Sequence, residues 1–162
     1  GLTEEFKKAM DDFGKESDAA MSTLLDRYIE SDKLGDLCQA LRYSGNRAAE
    51  KTLREIKARN PHREVKGLAT YCLAELLKDS GRKKSQDEAE RLLNQVMEEY
   101  ADVKHWWRGP LAHVAKADLF ELHHLALGKG APEIDGEAVD GKRFKLSDYR
   151  GRVVVIDFWG DT

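Results

Sequence analysis

Asn60-Pro61-His62-Arg63-Glu64-Val65-Lys66-Gly67-Leu68-Ala69-Thr70-Tyr71-Cys72-Leu73-Ala74-Glu75-Leu76-Leu77 decides the fold class of this chain. Val65, Leu68, Ala69, Cys72, Leu73 and Leu76 return every three or four residues, the spacing that lines one face of an α-helix. Asn60 is a cap type, Pro61 suits a first helical position, and Gly81 suits the residue that ends the helix. Downstream, Ser85-Gln86-Asp87-Glu88 reads as a capping box. It opens a helix bearing Ala89, Leu92, Leu93, Val96 and Tyr100. Gly109-Pro110 restarts the chain into a helix with Leu111, Val114, Ala115, Leu122 and Leu125, closed by Gly128 and Gly130. Upstream, Ala49, Leu53 and Ile56 mark a helix reached through Gly45-Asn46, and Leu34, Leu37, Cys38 and Leu41 mark a shorter one. Leu2, Phe6, Met10, Phe13, Ser17, Ala20, Leu24 and Tyr28 give a long first helix one apolar face. Gly14 weakens its middle by about 1 kcal/mol relative to alanine.

Residues 1–128 therefore read as a helical domain. Its links are short, so consecutive helices pack antiparallel. The pair 61–80 and 86–101 resembles a tetratricopeptide-type helical hairpin. Pro61, Val65, Tyr71, Leu73 and Leu76 recur at a constant offset as Pro110, Val114, Phe120, Leu122 and Leu125. The expected architecture is mainly α, an irregular bundle of such hairpins. Of 162 residues, 41% are apolar, enough for a core, and 35% are charged with a net charge of −3. That balance, without a broad basic patch interleaved with aromatics, gives no reason to expect nucleic acid. No run reaches transmembrane length, and no signal-peptide pattern is visible. Gly1 directly precedes helical sequence, which also suits a remnant on a trimmed start.

From Gly130 the pattern changes. Asp140-Gly141-Lys142 between extended segments suits a hairpin turn, because positive φ costs glycine nothing. Val139, Phe144 and Leu146 are then expected to share a buried face. Ser147 is a helix N-cap type and Gly151 suits the residue past a one-turn helix. Val153-Val154-Val155-Ile156-Asp157-Phe158 is apolar and β-branched apart from Asp157, as in a strand buried on both faces. In that order these pieces resemble the start of the thioredoxin-like superfamily. The branch is the one holding thiol-disulfide oxidoreductases and alkyl hydroperoxide reductase/thiol-specific antioxidant proteins. Ala131-Pro132-Glu133-Ile134 looks like its opening segment, 140–151 like its hairpin and one-turn helix, and Val153 to Trp159 like its first central strand.

The resemblance implies an α/β domain beginning at about 129, of which 129–162 is the N-terminal fragment. In that family a Cys-x-x-Cys motif follows the strand-ending tryptophan. No such motif occurs in the 162 residues. The attacking residue is expected immediately after Thr162, so no catalytic residue is assigned within this chain, and no cofactor or metal is implied. Asp157, Phe158, Trp159 and Thr162 lie near the site by resemblance. Asp157 is read either as a proton acceptor for a thiol or as an ordinary hydrogen-bonded polar residue. Thr162 stands where the family usually has a second tryptophan. Three explanations fit the break: a trimmed chain, a gene that ends there, or a selenocysteine codon read as a stop. A selenol ionises below a thiol and would serve as the nucleophile. The intact protein would act on a protein thiol or disulfide, or on a peroxide, outside the cytoplasm or in the periplasm. Its fragment is expected to pack on its own helical domain or pair with a second copy, since unpaired strand edges attract partners. The rival is a helical scaffold or interaction module that uses the β segment for assembly.

The remaining chemistry-bearing residues have plainer readings. Cys38 and Cys72 sit on apolar stripes as buried small hydrophobes, or as a disulfide if their helices face each other in an oxidising compartment. Neither lies at a helix start or beside cations, so redox catalysis by this pair is not expected. His105, His113, His123 and His124 lack the i, i+3 or i+4 spacing of a metal site. Trp106 and Trp107 read as a plug over a bundle end, or as a docking point for the thioredoxin-like domain or a client protein. Arg82-Lys83-Lys84 reads as a solvated turn, and Glu98-Glu99 as a solvated helix face.

Overall fold

A computed structural model describes residues 4–44, 48–125 and 128–159, with side chains from 15 onward except 17. The chain is mainly helical, and the described residues contain six α-helices and two small antiparallel β-hairpins. The helices are α1 Glu4–Tyr28, α2 Leu34–Tyr43, α3 Ala49–Arg59, α4 Arg63–Asp79, α5 Lys83–Glu99 and α6 Leu111–Phe120. A strand pair, β1 Lys104–His105 and β2 Gly109–Pro110, separates α5 from α6. The chain divides into two compact units, one ending at His123 and one beginning at His124. Among the described residues no helix is long and apolar enough to cross a membrane.

α4 is the hub of the first unit and packs against α2, α3, α5 and α6. Its buried residues run almost all the way round: Val65, Gly67, Ala69, Thr70, Tyr71, Cys72, Leu73, Ala74, Glu75 and Leu77. The one-face stripe expected here is therefore too narrow, and Leu68 and Leu76 are only partly buried. A helix surrounded by four others has no solvent face to spare. Leu34, Cys38, Leu41, Ala49, Leu53, Ile56, Ala89, Leu92, Leu93 and Val96 complete the core as their spacing predicts. Gly67 lets α5 approach: a Cβ there would meet the Tyr100 Cβ at 3.0 Å.

Helix starts depart from expectation where side chains find other partners. Pro61 is not the first helical residue. Asn60 is fully buried; its Nδ2 donates to the carbonyls of Ile29 at 2.7 Å and Ser31 at 2.9 Å. Its Oδ1 accepts from the His62 N–H at 2.8 Å. These bonds hold the connection extended, so α4 begins at Arg63. The capping box at Ser85-Gln86-Asp87-Glu88 does not form either, because α5 begins at Lys83, three residues before the expected Gln86. Gly81, at φ +68, turns the chain, and Lys83 and Lys84 become helical rather than loop. Glu88 instead accepts from Arg54 on α3 at 2.6 Å.

Tyr28, expected on the apolar face of α1, is exposed, while Leu25 and Ile29 take the inward positions. Leu125, at the end of the π-helical turn Glu121–Leu125, is likewise exposed. Tyr71 is buried and its offset counterpart Phe120 is not. The Gly45-Asn46 connection, and the side chains of Phe6, Met10, Phe13 and Ser17, lie outside the described residues.

In the second unit β3 Asp135–Glu137 pairs with β4 Arg143–Lys145, with Gly136 opposite Phe144. The expected turn is present, with Gly141 at φ +78 and its N–H on the Ala138 carbonyl. Val139 is fully exposed, contrary to expectation, because it lies in the connection between the strands rather than in one. A 3-10 helix, Leu146–Tyr149, follows, and Gly151 has φ +82. Ser147 is not its cap: Asp148 accepts from the Lys145 N–H at 2.8 Å, and the Ser147 N–H goes to Glu133 at 3.0 Å. Val153 to Trp159 forms no strand. A strand is held by its ladder, and among the described residues nothing pairs with this segment.

Candidate functional site

Of the residues assigned by resemblance, Asp157 and Phe158 line an apolar groove in the second unit. Its floor is built by the hairpin and the 3-10 helix. Gly136 leaves room for the Phe144 ring, whose Cζ would lie 2.9 Å from a Cβ there. Tyr149 meets that ring edge-on, with centroids 6.4 Å apart. Ile134 anchors the floor through its carbonyl, which accepts from the Leu146 N–H at 2.9 Å. Val154 and Ile156 close the other side, leaving a groove of about 390 Å³. Exposure alternates along this side: Val153 is 97% exposed, Val154 42%, Val155 91% and Ile156 45%. The segment thus has a half-covered face and a bare one, the period of a strand without its ladder. Asp157 is exposed. Phe158 and Trp159 are exposed too, and Thr162 lies outside the described residues.

The first unit holds a charged cluster that sequence reasoning did not single out. Glu75 on α4 is 1% exposed and sits between Arg42 of α2 and Lys78 one turn on. The Lys78 Nζ lies 3.0 Å from Glu75, 2.9 Å from Asp118 and 2.9 Å from Glu121. Tyr71 donates its hydroxyl to the second Asp118 oxygen at 3.0 Å. The guanidinium of Arg42 contacts one Glu75 oxygen and the Lys78 ammonium the other. Burial pulls the Lys78 pKa down, but the Glu121 and Asp118 carboxylates outweigh it and leave it raised. Burial and the neighbouring Asp118 push the Tyr71 hydroxyl up. A charge inside the otherwise apolar run 71–77 was the available signal, since buried charges are paired. The cluster ties α2, α4 and α6 together. Nothing in it presents an accessible nucleophile.

Beside it, the β1–β2 hairpin separates the two tryptophans. His105 is buried, with Tyr71, Trp106 and Trp107 edge-on around it at 5.5, 5.0 and 5.1 Å. Its Nδ1 accepts from the N–H groups of Trp107 at 3.4 Å and Arg108 at 3.3 Å. Among the described residues its Nε2 has no partner, and burial, with Arg108 and Arg42 nearby, lowers its pKa, so the ring is neutral at pH 7. Trp106 packs on the core and donates to Asp36 at 3.2 Å, as a plug should. Trp107 does not; it stands exposed.

Cys38 and Cys72 are buried, free thiols. Burial raises both, Cys72 to about 12, so neither is a thiolate at neutral pH. His123 pairs with Glu90 at 3.0 Å, and His62 with the Glu30 carbonyl at 3.0 Å. Among the described residues no group of three or more His, Cys, Asp or Glu could hold a metal ion. No protein-family model, curated protein or solved structure matches this chain.

Proposed function

We propose that residues 129–162 are the N-terminal part of a thioredoxin-like redox domain and that 1–128 is a tetratricopeptide-like helical module serving it. The intact protein would be a thiol-disulfide oxidoreductase or thiol peroxidase. Its attacking cysteine or selenocysteine would follow Thr162, with a resolving cysteine three positions on. The observation that carries this reading is the bare apolar face of Val153 to Trp159 beside an ordered hairpin and one-turn helix. Those pieces follow one another in the order of the resemblance. Covering each large apolar side chain is worth about 1.5–3 kcal/mol. A segment this apolar is built to receive strands on both sides. The described residues themselves offer no reactive thiolate, so 1–162 alone is inactive on this reading.

The test begins with the source DNA beyond the Thr162 codon. A cysteine codon, or TGA with an in-frame cysteine three codons later, supports the redox reading. The protein carrying those residues should then reduce insulin or a peroxide. A stop with no coherent downstream frame, or a longer protein inert in both assays, removes it. The helical scaffold then takes its place, a reading favoured by the inert, buried state of both cysteines.

A further inference from the structure

We propose that the tip of the β1–β2 hairpin is a protein-docking point. Trp107 would enter an apolar pocket on the partner, and Lys104 and Arg108 would pair with carboxylates around it. The partner is therefore an acidic protein segment carrying an apolar side chain. This inference stands apart from the redox reading and involves only the helical unit.

Trp107 is 62% exposed, although its neighbour Trp106 is packed away. The tip is rigidly mounted. The hairpin is tied to the start of α6 by Leu111 N–H to Val103 O at 2.7 Å and Ala112 N–H to Ala101 O at 3.1 Å. The buried His105 ring holds the backbone of both Trp107 and Arg108 from beneath. A large aromatic held in one place before binding loses little entropy on binding, which is what makes an anchor effective. Tryptophan and arginine are also the residues most enriched at binding hot spots.

Charge selects the partner. Lys104 and Arg108 are exposed, and neither makes an ion pair among the described residues. Asp102, two residues upstream, is already occupied by Arg63 at 2.6 Å. Asp36 faces Trp106. A peptide can set single carboxylates on the two cations and avoid both aspartates. A single-stranded nucleic acid could stack on Trp107, but its continuous row of phosphates would run over them.

The experiment uses the whole chain and three labelled probes. One is a peptide of aspartate and glutamate around a leucine–phenylalanine pair, the second its lysine-substituted counterpart, and the third an oligothymidine. The acidic peptide should bind more tightly than the other two, and added salt should weaken it. Trp107→Ala should reduce that binding by about tenfold or more, with helical circular dichroism unchanged. K104E/R108E should reverse the peptide preference while leaving Trp107 in place. Equal binding of both peptides, tighter binding of the oligonucleotide, or acidic-peptide binding indifferent to Trp107→Ala would each overturn the proposal. Absence of binding by any probe would do the same.

Discussion

Glu75 shows how much a single buried charge depends on its neighbours. A buried ion pair adds little over an apolar pair of the same shape, yet removing one partner costs about 3–5 kcal/mol. Glu75→Gln should therefore lower stability by about 3 kcal/mol, because Arg42 loses its counter-charge inside the bundle. Replacing both, Arg42→Met with Glu75→Leu, should cost less than either change alone. Urea unfolding of the four proteins gives the coupling directly, and additive losses would show that the two residues act independently. His105 makes a second prediction, about pH. Its folded pKa lies below the ordinary 6.5, so at low pH the unfolded chain binds a proton that the native ring refuses. The stability His105 contributes is thus present above about pH 6.5 and lost as pH falls towards the lower folded value. The groups facing it are the rings of Tyr71, Trp106 and Trp107 and the charges of Arg108, Arg42 and Asp118. In His105→Phe, unfolding free energy measured across this window should lose that slope. Glu75 was legible in principle, as a charge amid apolar residues. The unpartnered Nε2 of His105 was not, because only packing decides which of two neighbouring aromatics turns inward.

At the scale of elements, α4 and α5 are held close by the absence of one side chain. Alanine at position 67 would gain about 1 kcal/mol of helix propensity. It would also press a Cβ against Tyr100 at 3.0–3.2 Å, and overpacking of this kind costs about 1–3 kcal/mol. The second effect should win. Gly67→Ala should lower the melting temperature by a few degrees, and a rise would mean that α5 shifts freely. Periodicity located every helix, since the three-to-four spacing is a local property. It misplaced the first residues of α4 and α5, since Asn60 and Glu88 spend their side chains on distant partners, Ile29, Ser31 and Arg54. The hairpin turn at Gly141 was legible for the same local reason as the helices. Val153 to Trp159 has strand composition, but a strand is completed by a neighbour.

For the whole molecule, the two units make different demands. Among its described residues the helical unit buries most of the apolar stripes of α2–α5 within itself. The second unit leaves Val153, Val155, Phe158 and Trp159 bare, and we expect this face to pair with a second copy. Light scattering should find association that increases with concentration, and Val153→Lys with Val155→Lys should abolish it while leaving helix content intact. A monodisperse monomer whose residues beyond 130 are quickly digested by protease would contradict this. By itself the sequence determined a helical bundle followed by a hairpin and an apolar segment, because helix period, turn glycines and β-branched runs act over a few residues. Only the tertiary structure decided that α4 is packed against four other helices, that Glu75 is buried between two cations, and that Trp107 faces outward while Trp106 does not. Those outcomes depend on residues far apart in the chain arriving at one place, which no local spacing records.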